Sequence, residues 1–266
     1  MLKIFYMTFG CKVNHYETEY LKSIMKKRGF ESSDSYKTAD IVIVNSCTVT
    51  SSGDSRMLSA IRKIKRENSE CIMVLTGCYP QAFPEDSEKI ADIDIITGTK
   101  NKQDIPDIIE KFLENRNHIS VIECYRKDDI YDDMTCTEFP DNTRAFVKIQ
   151  DGCNCFCSYC IIPYARGRIR SKSPDILKNE ILGIAQNGIR EVVLSGINLA
   201  FYGKEYNLNL ADAVEICCNT EGIERVRLSS LEPEMITDSQ LDKLKSFEKF
   251  CPQFHLSLQS GCDRTL

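Results

Sequence analysis

Short apolar runs alternate with segments of helical periodicity in the first part of the chain, up to Ile122. The runs are rich in β-branched or aromatic residues, which predicts strands at Lys3–Thr8, Ile41–Asn45, Ile72–Thr76, Ile93–Ile96 and Ile119–Ile122. Apolar residues three and four positions apart predict helices at Tyr16–Arg28, Ser55–Glu67 and Asp104–Asn115. The runs IVIVN and IMVLT are almost continuously apolar, as in a parallel sheet covered on both faces. The pattern predicts a parallel-sheet α/β domain.

The same alternation resumes after residues 123–142, an acidic stretch without apolar period that includes Asp141. Strands are predicted at Ala145–Gln150, Arg190–Ser195, Glu224–Ser229 and Phe254–Leu258. Helices are predicted at Pro174–Asn187, Leu210–Asn219 and Asp238–Phe247. A βα series of this kind forms either an open sheet or part of a βα barrel. We therefore expect a linker at 123–142 and a second α/β domain from residue 143 onward.

Composition narrows the functional classes. With 266 residues, 42% of them apolar and 27% charged, the chain has the composition of a packed globular protein. No apolar run reaches the roughly 18–20 residues of a membrane span, and the start lacks a signal peptide, so we expect a cytoplasmic protein without a membrane partner. A net charge of −5 requires a local basic patch for any nucleic-acid contact. Fourteen cysteines in a reducing compartment indicate metal or redox chemistry.

The strongest local motif is the C-x3-C-x2-C spacing of Cys153, Cys157 and Cys160, just after the first strand of the second domain. Such a spacing places three thiolates on three irons of a cubane and leaves the fourth iron open to a substrate. The alternative is structural zinc, with Cys155 as a fourth ligand. Zinc sites usually combine two separated C-x2-C pairs, so the spacing favours the iron–sulfur cluster.

Three further cysteines occupy equivalent positions in the first domain. Cys11, Cys47 and Cys78 each lie a few residues after the carboxyl end of a predicted strand. Those ends share one edge of a parallel sheet, so the three thiols are expected to converge on a second cluster site. The alternative for each alone is a small buried residue in a tight turn.

Polar residues near the cysteine loop and at strand ends are further candidates. Arg166, Arg168 and Arg170 follow the loop and offer guanidinium groups for phosphate or carboxylate recognition, although an ordinary solvated loop is the alternative. Asn198 and Gln259 follow the second and fourth strands, where a βα barrel builds its active site and where helix caps also occur.

With both cysteine sets, the chain resembles the radical S-adenosylmethionine methylthiotransferases over essentially its whole length. The loop with Tyr159 before its last cysteine is similar to the cluster motif of the superfamily, and the three dispersed cysteines are similar to auxiliary-cluster ligands. The stretches 10–17 and 148–153 resemble the branch acting on N6-threonylcarbamoyladenosine at tRNA position 37. Sister branches act on isopentenyladenosine in tRNA or on an aspartate of a ribosomal protein.

The resemblance implies two [4Fe–4S] clusters and S-adenosylmethionine as cofactors. The cluster on Cys153, Cys157 and Cys160 would bind S-adenosylmethionine and cleave it to a 5'-deoxyadenosyl radical, which abstracts hydrogen from adenine C2. The cluster on Cys11, Cys47 and Cys78 would deliver sulfur, and a second S-adenosylmethionine would donate the methyl group. Tyr159 would lie near the cofactor adenine, with Asn198 and Gln259 as weaker cofactor contacts. The substrate contacts would be Arg166, Arg168 and Arg170.

The resemblance also implies a domain order and partners. Residues 1–122 would form the N-terminal methylthiotransferase domain, and residues 143–266 the first four strands of a partial radical S-adenosylmethionine barrel. The rest of the barrel and the C-terminal TRAM domain of family members are missing, so we expect a truncated chain. The expected partners are tRNA, an electron donor of flavodoxin or ferredoxin type, and a sulfur source. A two-cluster electron-transfer module that has lost catalysis is the alternative from another class.

Overall fold

The computed structural model describes residues 1–140, 142–232 and 236–265, so Asp141 of the predicted linker lies outside the described residues. Within these ranges, no helix is both long and apolar enough to cross a membrane. The chain divides into two compact units. The first comprises residues 1–128 and 154–168, and the second comprises residues 129–153 and the described part of 169–266. Most of the cysteine-rich loop therefore belongs to the first unit.

Parallel strands form the sheet of the first unit. They are β1 (Lys3–Thr8), β2 (Glu31–Ser32), β3 (Ile41–Ser46), β4 (Ile72–Gly77), β5 (Ile95–Thr97) and β6 (Ile119–Val121). Their spatial order is β2-β1-β3-β4-β5-β6, and every neighbouring pair is parallel. The carboxyl ends of β1, β3 and β4 consequently lie side by side at one edge of the sheet.

Helices cover both faces of this sheet. They are α1 (Lys12–Lys27), α2 (Ser51–Glu67), α3 (Cys78–Ala82), α4 (Pro84–Glu88), α5 (Ile105–Asn115) and, from the segment 154–168, α6 (Ile162–Arg166). One apolar core packs α1 and α5 against Ile41 and Ile43, and a second packs α2 against Val42 and Val44. Because successive side chains of a strand point to opposite faces, β3 is buried on both sides, as its continuous apolar run predicts.

The element boundaries differ from the prediction mainly at helix starts. The helix α1 begins at Lys12 rather than Tyr16, and α2 at Ser51 rather than Ser55. The first turns of both helices are mostly polar, so apolar spacing does not mark them. In α2 the Thr50 hydroxyl caps the helix by accepting a backbone hydrogen bond of 3.2 Å. The edge strand β2 is exposed at both residues and has no apolar pattern.

A βα series forms the second unit. Its strands are β7 (Ala145–Lys148), β8 (Gln150–Asp151), β9 (Arg170–Ser171), β10 (Glu191–Ser195), β11 (Arg225–Leu228), β12 (Ser230–Leu231) and β13 (His255–Leu256), and its helices are α7 (Pro174–Gln186), α8 (Leu210–Cys218) and α9 (Asp238–Lys245). The strands β7, β10 and β11 are parallel neighbours, and β12, one residue after β11, pairs in parallel with β13. The first three predicted strands thus lie side by side in chain order, the fourth pairs with β12, and the predicted α/β fold is confirmed.

The first strand of this unit is shorter than predicted. The chain leaves β7 after Lys148, and β8 pairs antiparallel with β9. Between β7 and β8, the Ile149 N–H donates to the Ser195 carbonyl at 2.9 Å, and the Ile149 carbonyl accepts from the Lys172 N–H at 2.8 Å. The residues that lead into the cysteine loop are therefore anchored on two sides by backbone hydrogen bonds.

The segment predicted as a linker is irregular but not loosely attached. Tyr131, Met134, Cys136 and Phe139 are all buried. The Tyr131 hydroxyl donates to the Lys148 carbonyl at 2.7 Å, within the second unit. These four buried residues follow no helical or strand period, because the segment is irregular. Their burial could therefore not be predicted from the spacing of apolar residues. The division between the units, after residue 128, falls inside the predicted linker.

Candidate functional site

Cys11, Cys47 and Cys78 meet at the carboxyl edge of the first sheet. Cys11 precedes α1, Cys47 directly follows β3, and Cys78 directly follows β4. A Cβ atom placed on Gly10 would lie 2.9 Å from the Cys47 sulfur, so the chain beside Cys11 packs against Cys47. The thiols of Cys47 and Cys78 share a hydrogen bond. The predicted convergence of the three loops is therefore present.

Glycine is required next to two of these cysteines. Gly10 and Gly77 have φ values of 108° and 105°, in the region that side chains rarely adopt. A Cβ atom on Gly77 would lie 2.4 Å from the Ser46 carbonyl oxygen, and one on Gly10 would lie 2.4 Å from the Cys47 Cβ. The two Gly-Cys pairs thus allow adjacent loops to approach closely enough to bring their thiols together.

Asn14 ties two of the cysteine loops together. Its Nδ2 donates to the carbonyl oxygen of Phe9 at 2.9 Å and to that of Ser46 at 2.8 Å. The Ser46 hydroxyl in turn donates to the Thr76 carbonyl at 2.8 Å, next to the loop of Cys78. Asn14 is fully buried. Sequence analysis missed it, although an asparagine three residues after a strand-end cysteine is a recognisable pattern.

Arg166 completes the surroundings of the three thiols. It ends α6 and is fully buried. Its Nε donates to the Cys78 sulfur at 3.3 Å, and one terminal nitrogen donates to Asn14 Oδ1 at 2.7 Å. Both terminal nitrogens bond the Glu17 carboxylate. Its guanidinium is turned inward and has no exposed surface, and the substrate contact of Arg166 stays a prediction.

A second buried cation lies behind the same carboxylate. The Lys102 ammonium is 3.7 Å from Glu17 and donates to the Thr76 hydroxyl at 3.0 Å. Arg166, Lys102 and Glu17 thus place two positive charges and one negative charge behind the cysteines. Buried positive charge stabilises thiolates and the anionic clusters that they bind. Neither Glu17 nor Lys102 has a sequence pattern that distinguishes it from a surface residue.

The pKa values of Cys47 and Cys78 depend on each other. Donation from the Cys78 thiol lowers the pKa of Cys47 to about 7. The same donation, together with burial, raises the pKa of Cys78 well above its ordinary value, against the opposing effect of Arg166. Cys47 is therefore the first thiolate of the metal-free site, and metal binding releases the remaining protons.

The donor set fits a cluster better than a single ion. Cys11 and Cys47 line an open cleft of about 310 Å³, together with Gly10, Val49, Thr50 and Gly53. Among the described residues, no three His, Cys, Asp or Glu side chains are grouped closely enough to hold one metal ion. A single zinc draws thiolates to about 2.3 Å from one point, whereas a cubane spreads them over three separate irons. Cys11 and Cys47 at the cleft, with the buried Cys78 beside Cys47, suit the wider arrangement.

The structure divides the C-x3-C-x2-C motif between the two units. Cys153 is half-buried and follows β8 in the second unit. Cys157 is exposed and Cys160 half-buried, and both belong to the first unit, where the Cys160 N–H donates to the Cys157 carbonyl at 2.9 Å. Cys155 is exposed. Ligation of one cluster by the three motif cysteines stays a prediction.

The base of the cysteine loop is held by Gln150 and Asp151. Gln150 Nε2 donates to the carbonyls of Asp151 and Gly152, each at 2.7 Å, and its Oε1 accepts from the Asn198 N–H at 2.7 Å. Asn198 thus lies beside the start of the loop, and its contact with the cofactor stays a prediction. Gln259 follows β13, is exposed, and has a φ of 63°. Sequence analysis missed Gln150, which directly precedes the motif.

Of the three arginines predicted to contact the substrate, one is exposed. Arg170 is only 5% exposed and lies 3.7 Å from the Asp151 carboxylate, which also binds Lys148 at 2.8 Å. The substrate contact of Arg170 likewise stays a prediction. Arg168 is exposed, and its guanidinium lies 5.8 Å from the ring centre of Phe156. Together with this pair, Tyr159 and Tyr164, 75% and 69% exposed, give the segment 154–168 an aromatic and basic surface.

Two family models match the chain. Residues 3–98 match the uncharacterized protein family UPF0004, and residues 147–266 match the Radical SAM superfamily. The first match covers the strands and loops that carry Cys11, Cys47 and Cys78, and the second covers the C-x3-C-x2-C motif.

Curated relatives are similar along the whole chain. The threonylcarbamoyladenosine tRNA methylthiotransferase MtaB of Bacillus subtilis (strain 168) is 37% identical over all of this chain and 59% of its own length. The MtaB of Aquifex aeolicus (strain VF5) is 38% identical over all of this chain and 65% of its own. The tRNA-2-methylthio-N(6)-dimethylallyladenosine synthase of Clostridium novyi (strain NT) is 34% identical over 99% of this chain and 60% of its own. The chain thus spans less than two thirds of the length of each of these relatives.

A solved structure shares the fold. The radical S-adenosylmethionine methyltransferase TsrM from Kitasatospora setae, described with a tryptophan substrate and a cofactor analogue bound, aligns with a TM-score of 0.66. The alignment covers 96% of this chain and 59% of that chain, at 15% sequence identity. At that identity the likeness is evidence of fold alone.

Proposed function

Because this chain belongs to the radical S-adenosylmethionine methylthiotransferase family, in the branch of the MtaB relatives, we propose that it methylthiolates tRNA at C2 of N6-threonylcarbamoyladenosine 37. The observation that carries the proposal is the meeting of three cysteine loops, in which Cys11 and Cys47 line one cleft and Cys78, next to Cys47, contacts a buried guanidinium. Sulfur insertion at an unactivated carbon needs a radical source and a sulfur-donating site. The chain offers one candidate cysteine set for each.

Membership of the family brings an iron–sulfur cluster and S-adenosylmethionine as cofactors. We assign the radical-forming cluster to Cys153, Cys157 and Cys160 and a second cluster to the three dispersed cysteines. When bound, these groups supply one-electron cleavage of S-adenosylmethionine and transferable sulfur. The donor chemistry fits, because both sets offer three thiols and neither offers a closed four-ligand zinc site within the described residues.

Several residues would orient the cofactor and the substrate. The exposed ring of Tyr159, directly before Cys160, is available for an adenine. Gln150 holds the Asn198 loop against the base of the cysteine loop, which supports a cofactor role for Asn198, and Gln259 remains a candidate at the end of β13. Arg168 with Phe156 offers stacking and charge to a nucleotide.

The remaining parts of the proposal concern domains and partners. We propose that residues 1–122 form the methylthiotransferase domain, that residues 123–142 link it to the next domain, and that residues 143–266 belong to the radical S-adenosylmethionine domain. Within that last range, the segment 154–168 belongs to the first compact unit. We also propose tRNA as substrate, an electron donor of flavodoxin or ferredoxin type, and an external sulfur source. The names of the relatives support a tRNA substrate.

A second substrate is favoured by one comparison. The Clostridium novyi relative, named for dimethylallyladenosine, is 34% identical, close to the 37% of the Bacillus subtilis relative. The substrate nucleoside therefore has to be measured directly rather than inferred from identity.

The test is an anaerobic assay with the reconstituted chain, a chemical reductant and S-adenosylmethionine. Two tRNA preparations are offered, one carrying unmethylthiolated threonylcarbamoyladenosine and one carrying dimethylallyladenosine, and nucleosides are identified by mass spectrometry. We expect the methylthio group on the first. Methylthiolation of the second alone would replace the proposed substrate. Failure on both, by a chain that holds two clusters and cleaves S-adenosylmethionine, would overturn tRNA methylthiolation by this chain.

A further inference from the structure

The guanidinium of Arg166 joins the segment 154–168, which carries Cys157 and Cys160, to the site of the three dispersed cysteines. Arg166 ends the helix that follows Cys157 and Cys160 in the segment 154–168. The same side chain reaches Cys78 at 3.3 Å and Asn14 at 2.7 Å. Asn14 in turn bridges the loops of Cys11 and Cys47. Arg166 therefore contacts the Cys78 loop directly and reaches the loops of Cys11 and Cys47 through Asn14.

We propose that Arg166 is a positioning residue that couples the segment 154–168 to the site of Cys11, Cys47 and Cys78. Loading the site of Cys11, Cys47 and Cys78 stabilises the segment 154–168 further, through the hydrogen bond from Arg166 to Cys78 that the structure already contains. This inference rests on the proposed function, since it takes those three thiols as ligands of a second cluster. Arg166 itself touches a ligand residue and is not assigned a step in the reaction.

The shape of arginine is needed for this role. The guanidinium uses Nε for the sulfur and its two terminal nitrogens for Glu17 and Asn14. These three donor directions are fixed in one plane, so holding Glu17 also aims Nε at Cys78. A lysine would retain the charge as a point on a flexible stem and could not keep all three partners at once.

The helix α6 transmits this contact to the rest of the segment. Thr99 donates to the Ala165 carbonyl at 2.7 Å, which fixes the residue before Arg166. Gly167, at a φ of 68°, packs so closely on Tyr125 that a Cβ there would lie 2.5 Å from its ring. The chain on each side of Arg166 is therefore held in place, and a change in the hydrogen bond to Cys78 acts on an already constrained segment.

Coupling of this kind is reciprocal and measurable. If a loaded site stabilises the ordered segment, the ordered segment also strengthens loading, by the same factor. The cation beside the sulfur also favours the more negative, reduced form of a bound cluster. Two observables follow: amide hydrogen exchange in the segment, and the reduction equilibrium of the cluster.

The experiment uses the full chain carrying Cys153→Ala, so that only the dispersed cysteines are loaded with iron and sulfide. Exchange of the amides in 161–168 is compared between the empty and the loaded protein. We expect loading to slow exchange about tenfold, within the 5–150-fold range of coupled sites. With Arg166→Lys added, which retains a cation for Glu17, the slowing should disappear. With Arg168→Gln, an exposed arginine of the same segment, it should persist.

The one-electron reduction of the cluster distinguishes a positioning role of Arg166 from a purely structural one. Arg166→Gln should lower the constant for one-electron reduction of the cluster about tenfold, which is about 59 mV for one electron, while Arg168→Gln leaves it unchanged. If Arg166→Gln does not fold, the exchange result for Arg166→Lys decides alone. Slowing that survives in Arg166→Lys overturns the proposal, as does an unchanged reduction constant in folded Arg166→Gln.

Failure of the proposed function would look different. A chain whose dispersed cysteines bind no cluster, shown by iron content before any exchange measurement, would remove the sulfur-donating site itself and the inference with it. The chain could instead bind the cluster through those cysteines while substitution of Arg166 changes neither the amide exchange nor the reduction constant. That result would overturn only the coupling.

Discussion

The side-chain amide of Asn14 donates a hydrogen bond to the backbone carbonyl of Ser46, 2.8 Å away. Through this bond and a second one of 2.9 Å to Phe9, the loop before Cys11 is fastened to the loop of Cys47. Phe9 directly follows β1, and Ser46 is the last residue of β3. The Asn14 side chain supplies a donor to the carbonyl at each of these strand ends. The geometry of the candidate cluster site therefore depends on a side chain that is not itself a ligand.

Asn14→Ala is expected to lower the free energy of unfolding by about 2 kcal/mol, because buried carbonyls lose their donor. It should also lower the iron retained after reconstitution. Asn68→Ala is the matched control, since Asn68 Nδ2 likewise donates to two carbonyls, those of Tyr36 and Ala39, at 2.7 and 2.9 Å. The control should cost similar stability in denaturant unfolding but no iron. Equal iron in both variants would show that Asn14 only stabilises the fold.

The hydrogen bond from Cys78 to Cys47 gives a pH prediction for the cluster-free chain. Donation from Cys78 lowers the pKa of Cys47 to about 7, so its thiolate predominates above that pH and is lost below it. Alkylation of Cys47, followed by mass spectrometry, should therefore rise with a midpoint near neutrality. Cys78→Ala removes the donor and should move the midpoint upward toward that of an ordinary thiol. A midpoint that stays in place would exclude the hydrogen bond as its cause.

The ion pair of Lys172 and Glu180 is fully buried in the second unit. Glu180 also accepts the Cys136 N–H at 2.8 Å, so it holds the segment predicted as a linker. Lys172→Met should cost about 3–5 kcal/mol in denaturant unfolding, because the carboxylate is left buried without its cation. Lys245→Met, which breaks the exposed pair with Asp242, should cost at most about 1 kcal/mol. Similar losses in both would contradict the burial of the first pair.

The two cysteine sets should separate in activity. Cys157→Ala is expected to abolish formation of 5'-deoxyadenosine from S-adenosylmethionine, because a radical-forming cluster needs its three ligands. Cys47→Ala should leave that reaction in place and abolish methylthio transfer. Both products are quantified in one anaerobic incubation. Production of 5'-deoxyadenosine at the parent rate by Cys157→Ala would refute the assignment of the motif.

The ends of the strands could be predicted from the sequence, because a parallel strand that is buried on both faces has a continuous apolar run. The run Ile41–Asn45 placed Cys47 at the sheet edge, and Ile72–Thr76 placed Cys78 there. The structure extends both strands by one residue, to Ser46 and Gly77, and leaves the cysteines directly after them. Errors of this size do not move a residue to another edge of a sheet.

The surroundings of the thiols could not be predicted in the same way. Arg166 and Glu17 are buried because they satisfy each other across 149 positions of sequence, and a polar residue carries no local mark of a distant partner. The same holds for Lys102. Arg166 was predicted to face the substrate because its neighbours in sequence are basic, whereas the helix turns it inward.

The most direct measurement is the iron and acid-labile sulfide of the anaerobically reconstituted chain, beside a variant with Cys11→Ala, Cys47→Ala and Cys78→Ala. The central claim, that these thiols hold a second cluster, predicts about eight irons per chain falling to about four in the variant. About four irons in both proteins would contradict it, because the dispersed cysteines would then not be cluster ligands.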